Sequence, residues 1–146
     1  MNIYWLAMVV ITAVLGMVYE KTHQAEQSSQ TVEISLIAHN VLVYRNALAE
    51  YAYAHKAASG TVPDNQLDLP TWYARYPGVD GVIDAGRSYA FFTSPPPGLI
   101  TEMVKLSGGS LAIGIANSGS LITPSSGSVG IGLPPSVPSG SAVAYQ

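Results

Sequence analysis

Hydrophobic positions follow three successive patterns along this chain: an unbroken apolar run, a stripe at helical spacing, and short alternating runs set among Gly and Pro. The first run has no charged side chain before Glu20 and Lys21. As a helix its apolar stretch rises about 25 Å, close to the lower limit for crossing a bilayer's hydrocarbon core. Ile3, Tyr4, Trp5, Leu6, Val9, Val10, Ile11, Val14, Leu15, Val18 and Tyr19 form the expected membrane anchor, with the rings of Tyr4, Trp5 and Tyr19 at the headgroup levels. A cleaved signal peptide is the competing reading. It lacks a basic n-region, and a cut after Ala25 would put His23 where a small side chain is needed. A buried helix is the third reading, and the rest of the chain holds too little apolar helix to surround one. Charge bias does not orient the segment, since Lys21 is the only nearby Lys or Arg. A short N-terminal tail ahead of a long polar domain is the usual layout of an exported C-terminal part.

Residues 20–31 are polar and contain neither Pro nor Gly, so nothing in them forbids a continuing helix. Ile34, Ile37, Val41, Tyr44, Leu48 and Tyr51 then recur at three- and four-residue spacings, which puts all six on one helical stripe. A stop is written at residues 57–60, with Gly60 in the C-terminal place and Pro63 beyond it. The stripe is too short for a free coiled coil and predicts packing on its own domain, with a partner helix as the alternative.

Pro63, Pro70, Pro77, Gly78, Gly81 and Gly86 break residues 61–86, leaving room for one helical turn over 69–75. The aromatic run at 88–93 reads as a strand, and Leu99, Met103 and Leu106 have the spacing of a short amphipathic helix closed by Gly108 and Gly109. Leu111, Ile113 and Ile115 alternate with small residues, and Asn117-Ser-Gly119 supplies a tight turn before residues 120–123: a hairpin signal. Val129, Ile131 and Leu133 alternate with Gly130 and Gly132, a strand bare enough on one face for another backbone to approach, and so a candidate partner edge. Residues 142–145 either close the sheet or trail away. The expected class is α+β: an N-terminal transmembrane helix, a second amphipathic helix and a small domain with an antiparallel sheet, divided as 1–20, 21–60 and 61–146.

Roughly 125 residues beyond the anchor suffice for one compact domain. The basic residues stand singly and the net charge is -3, so no stripe exists to neutralise phosphates and nucleic-acid binding is not expected. The chain has no cysteine, which excludes disulfides and leaves the compartment open.

Candidate chemistry is sparse. His23, His39 and His55 are evenly spaced, but a helix turns by about 160° and rises by about 24 Å between successive ones, so no single helix brings two of them to one ion. Asp80 and Asp84 flank Gly81 in what reads as a loop, and Asp64 and Asp68 flank Asn65; both pairs are candidate calcium ligands without EF-hand alternation. No phosphate-binding Gly motif and no nucleophile elbow occurs, and Ser118 and Ser126 belong to turns. No catalytic, cofactor or metal site is expected.

The anchor with a helix ending near Tyr51-Ala-Tyr-Ala-His55, the run Leu111-Ala-Ile-Gly-Ile-Ala-Asn-Ser-Gly-Ser-Leu-Ile-Thr-Pro124 and the run Leu133-Pro-Pro-Ser-Val-Pro-Ser-Gly140 together resemble the PilM family of conjugative-plasmid thin pili, biogenesis proteins of type IVb pili. These differ from the actin-like proteins that share the name. The resemblance implies a single-pass inner-membrane protein of the pilin transport apparatus or basal body. Its domain would be periplasmic, and its partners would be the membrane, other pilus assembly proteins and, in a homo-oligomer, further copies of itself. A pilin-like or pseudopilin-like minor subunit is the alternative, although no Gly precedes the apolar run as its processing requires. A membrane-tethered periplasmic hydrolase is a third, without a recognisable nucleophile and base.

Overall fold

The computed structural model describes the backbone of residues 3–146 and the side chains of residues 29–146. The expected anchor side chains, Ile3 to Tyr19, lie outside the described residues. Among the described residues no helix is long and apolar enough to cross a membrane. The chain divides into two units, Met1–Glu33 and Ile34–Gln146.

Helix α1 spans Ile3–Ala54 without a break, so the segment expected as an anchor and the amphipathic segment share one helix rather than two. The absence of Pro and Gly in residues 20–31 accounts for the continuity. In the second unit, Ile37, Val41, Tyr44 and Leu48 are buried, while Ile34 and Tyr51 pack half-buried at the ends of the same stripe.

Six strands follow: β1 (Val79–Asp84), β2 (Arg87–Phe92), β3 (Ile113–Asn117), β4 (Ser120–Thr123), β5 (Gly127–Gly132) and β6 (Ala142–Tyr145), with α2 (Leu99–Leu106) between β2 and β3. They form one antiparallel sheet in the order β1-β2-β6-β3-β4-β5. β6 therefore lies in the middle of the sheet, where Ala142, Val143 and Ala144 are fully buried. α1 and α2 cover one face, where Ile83, Ala90, Phe92, Ile113 and Ala144 meet the α1 stripe and Leu99 and Met103 of α2. On the other face Val82, Tyr89, Phe91, Leu121 and Val143 are closed over by Leu133 and Val137. Coverage on both faces explains why β2 reads as a continuous apolar run instead of an alternation.

Three sequence expectations change. Residues 79–84 form a strand and not a loop, so Asp80 and Asp84 are exposed positions of β1. The expected helical turn over 69–75 is a single tight turn closed by Tyr73 N–H to Pro70 O at 2.9 Å, and a short 3-10 helix sits earlier, at Asp64–Gln66. Gly60 does not cap α1, which ends at Ala54; with φ of 100° it pairs with Ile83 beside β1. For residues 79–84 and for Gly60 a long-range sheet contact overrides the local Gly and Pro signal.

The hairpin forms as the sequence reads: Asn117 pairs with Ser120, and Ser118 and Gly119 both take positive φ, 48° and 77°. That is the conformation a two-residue turn needs to match strand twist.

A candidate interaction surface at the β5 edge

The sheet has two edge strands, and the chain treats them differently. On β1 every second amide points outward, and all three are taken. Val79 N–H donates to Tyr76 O at 3.0 Å, Gly81 N–H to Asp80 Oδ1 at 2.8 Å, and Ile83 N–H to Gly60 O at 2.9 Å. Gly60 N–H returns a bond to Ile83 O at 2.8 Å. Asp80 and Asp84 add negative charge to that edge.

On β5, among the described residues, no backbone bond leads from Gly127–Gly132 to any element but β4. Val129 and Ile131 are half-buried against the second-face cluster, Leu133 is buried just beyond the strand, and the remaining β5 residues are exposed. The register with β4 shifts between Ser120 and Ile122, so Val129, Gly130 and Ile131 bulge opposite Leu121. Gly130, with φ of 69°, supplies the conformation of that bulge, and a side chain on Gly127, Gly130 or Gly132 would meet nothing within 4 Å. These glycines therefore leave the faces of β5 bare. The sequence carries a further signal of this edge: Lys105 is the last charged side chain, so β3 to β6 carry none.

The densest polar contacts lie elsewhere, where residues 61–78 dock on α1. Asn40 Oδ1 accepts from Tyr73 Oη at 2.8 Å and Tyr76 N–H at 2.9 Å, and Asn40 Nδ2 donates to Ala74 O at 2.8 Å. Arg75 lies 3.4 Å from Asp64 Oδ2 and 3.6 Å from Asp80 Oδ1, donates to Tyr44 Oη at 3.3 Å, and sits over the Tyr44 ring at 5.5 Å. Neither Asn40 nor Arg75 stands out in the sequence, because each partner is some thirty or more positions distant or lies in an irregular segment. Burial raises the Tyr44 phenol above its ordinary value despite the Arg75 charge, and raises Tyr73 further, with Tyr44 as the next cause. Raised phenol pKa values favour the neutral form, so these tyrosines are held away from acting as bases or nucleophiles.

The remaining candidates do not converge. His39 and His55 each lie near a carbonyl one turn back, Ser35 O and Tyr51 O, and His23 falls outside the described residues. No group of three His, Asp or Glu suited to a metal occurs among the described residues. Ser118 Oγ donates to Asn117 Oδ1 at 3.2 Å within its turn. A cleft of about 670 Å³ lined by Arg45, Asn46, Glu50 and Tyr53 has its guanidinium turned onto Asn46 Oδ1 at 3.0 and 3.2 Å.

Comparison with known proteins gives a consistent result. The PilM family model matches residues 7–145. The chain is similar to the crystal structure of a PilM protein from Escherichia coli B7A, with a TM-score of 0.63 and 28% identity, over 80% of this chain and 94% of that one. It is also similar to a pilM protein from Pseudomonas aeruginosa 2192, with a TM-score of 0.50 and 39% identity, over 78% of this chain and 93% of that one. No curated protein matches. A family match across nearly the whole length, joined to likeness in fold and sequence, places this chain in the PilM family of pilus-biogenesis proteins.

Proposed function

We propose that this protein is an inner-membrane component of a type IVb thin-pilus assembly apparatus or basal body. Residues 1–20 hold it in the bilayer, the following domain is periplasmic, and it acts by protein contact. The observation that carries the contact reading is the asymmetry of the sheet: one edge sealed by Tyr76, Asp80 and Gly60, the other open, uncharged and glycine-rich. An open edge offers a row of backbone donors and acceptors to an added strand, a common mode of protein recognition. The α1 stripe serves in this reading to seat the sheet on its helix, leaving Val129, Ile131 and Leu133 as the edge that meets a partner.

Two substitutions test it in cells. Ser128→Lys puts a charge on an exposed β5 position, and Ile131→Pro removes an amide donor from the strand. Both are expected to reduce piliation while membrane fractionation still recovers the intact chain. Wild-type piliation with both variants stably present overturns the edge as the working surface. Intact mass tests the anchor: a soluble product beginning near Glu26 refutes it. A reporter fused after Gln146 tests the periplasmic placement, which activity of a cytoplasm-only reporter overturns.

A second reading, a minor pilin-like subunit, draws support from the plan of one long helix packed through its C-terminal part on an antiparallel sheet. Fractionation separates the two: a subunit travels with sheared pili, whereas an assembly component stays with the membrane.

A further inference from the structure

The three seals on β1 share one origin. Gly60 and Tyr76, whose carbonyls take the Ile83 and Val79 amides, stand at the two ends of the irregular segment between α1 and β1. Arg75 of the same segment lies 3.6 Å from the Asp80 carboxylate that takes the third amide, Gly81. Closure of this edge therefore depends on residues 60–76 staying in place.

That segment is fastened unlike the rest of the domain. Among the described residues, every backbone–backbone bond made by residues 61–75 stays inside the segment. Its hold on α1 comes from side chains: Asn40 to Tyr73, Ala74 and Tyr76, Tyr51 Oη to Gln66 Oε1 at 3.3 Å, and Arg75 to Tyr44. Apolar cover is thin, since only Val62 and Leu67 of residues 61–76 are buried. The Arg75 ion pairs with Asp64 and Asp80 join side chains between 38% and 55% exposed, which salt screens readily. Asp64 Oδ1 is buried with no hydrogen-bond partner, so closure strands a carboxylate oxygen away from water and opening rehydrates it. Strands β2 and β6, by contrast, are paired on both sides. Few buried apolar contacts and no backbone ladder are the marks of a segment that opens well below global unfolding.

We propose that residues 60–76 form a detachable strap over the β1 edge, latched by Arg75, which lifts as one unit and releases the Val79 and Ile83 amides together. Closed, the strap leaves the sheet one free edge; lifted, it leaves two. The device stands whether or not β5 meets a partner.

Four amides report the lift: Gly60 and Tyr76 on the strap, Val79 and Ile83 on the edge. Amide hydrogen exchange of the full chain in detergent micelles, resolved to single residues, is expected to give these four one common protection, about tenfold or more below that of the central β6 amides. Raising the salt concentration from about 0.1 to about 1 M cuts the screening length from about 10 to about 3 Å. That change should speed the four several-fold and leave β6 unaltered. Arg75→Met should speed them at low salt and remove the salt response, whereas Arg87→Met, the same charge change at an exposed β2 position, should do neither. Val79 and Ile83 protected as strongly as β6 would overturn the strap, because the edge then opens only with the whole domain. Different protection for the Gly60–Ile83 pair and the Tyr76–Val79 pair would overturn the single unit, its two ends fraying separately. A salt response that survives Arg75→Met, or an equal loss of β6 protection in that variant, overturns Arg75 as the latch.

Discussion

Leu48 and Gly81 meet where α1 crosses β1, and the contact sets up a double-mutant cycle. Leu48 is fully buried, and a Cβ built on Gly81 would run into Leu48 Cδ1, lie 2.8 Å from Tyr44 Cε1 and 3.1 Å from Tyr89 O. Leu48→Ala opens a cavity at the centre of the helix–sheet interface and should cost about 2–5 kcal/mol. Gly81→Ala overpacks the same place and should cost about 1–3 kcal/mol. Independent effects would sum, but these are not independent. The Leu48 methyl that blocks the new side chain is the atom group removed by the first substitution, and the added methyl occupies part of the space left behind. The double variant should therefore be more stable than the sum predicts by about 1–2 kcal/mol. Relief is partial, because the Tyr44 ring and the Tyr89 carbonyl still crowd position 81. A domain of this size has about 5–15 kcal/mol to lose, so each variant should remain folded enough to measure by urea denaturation. Additivity within about 0.5 kcal/mol would refute the contact, and with it the account of why glycine occupies this strand position.

Other outcomes are expected on the same grounds. Asn40→Ala removes the side chain that Tyr73 Oη, Tyr76 N–H and Ala74 O share, leaving Tyr73 Oη its 3.3 Å bond to the Asn40 carbonyl, and should cost about 1–3 kcal/mol, with hydrogen exchange rising first at residues 73–76. Tyr44 and Tyr73 hold their protons above the ordinary phenol value, so the folded chain binds more protons than the unfolded one once pH exceeds about 10. Stability from this source is complete below that pH and is lost as pH rises towards the folded values; Tyr73→Phe should flatten the decline in an alkaline denaturation series. At the hairpin, Ser118→Asn should raise the unfolding midpoint slightly, since asparagine tolerates positive φ better than serine, while Gly119→Val should lower it by about 1 kcal/mol or more.

What the sequence reveals of this fold follows the range of the forces involved. The α1 stripe, α2 and the β3–β4 hairpin are written locally, in helical spacing or in Asn117-Ser-Gly119, and the structure forms them at the expected places. β1 is not, because Gly81 and its flanking aspartates imitate a loop. The glycine is there to let Leu48 and Tyr44 pack close, and Asp80 is there to occupy an amide. The central position of β6 is equally hidden. Its four residues pair with β2 and β3, and no local pattern separates a central strand from a trailing one. The β5 edge is half legible: alternation with glycine marks it as approachable, but only the strand order shows that it lies at an end of the sheet. Asn40 and Arg75 hold the irregular segment through distant partners, and periodicity carries no trace of such contacts.

One sealed edge and one open edge also fix how far strand pairing can go. A sheet open at both ends can add copies without limit, whereas a sheet open at one end stops at a pair. Two of the three β1 seals are backbone bonds, from Val79 and Ile83 to Tyr76 O and Gly60 O, and only the Gly81 amide depends on a side chain, Asp80. Asp80→Ala should therefore free one amide and weaken the Arg75 contact without creating a row to which a strand can add. Light scattering of the full chain in a dispersing detergent is expected to give the same dependence of mass on concentration for the unsubstituted protein and for Asp80→Ala. Mass that keeps growing with concentration in the unsubstituted protein would mean that a second surface is open, and the sealed reading of β1 would fall. Growth confined to Asp80→Ala would instead show that this single carboxylate is what keeps the β1 edge closed.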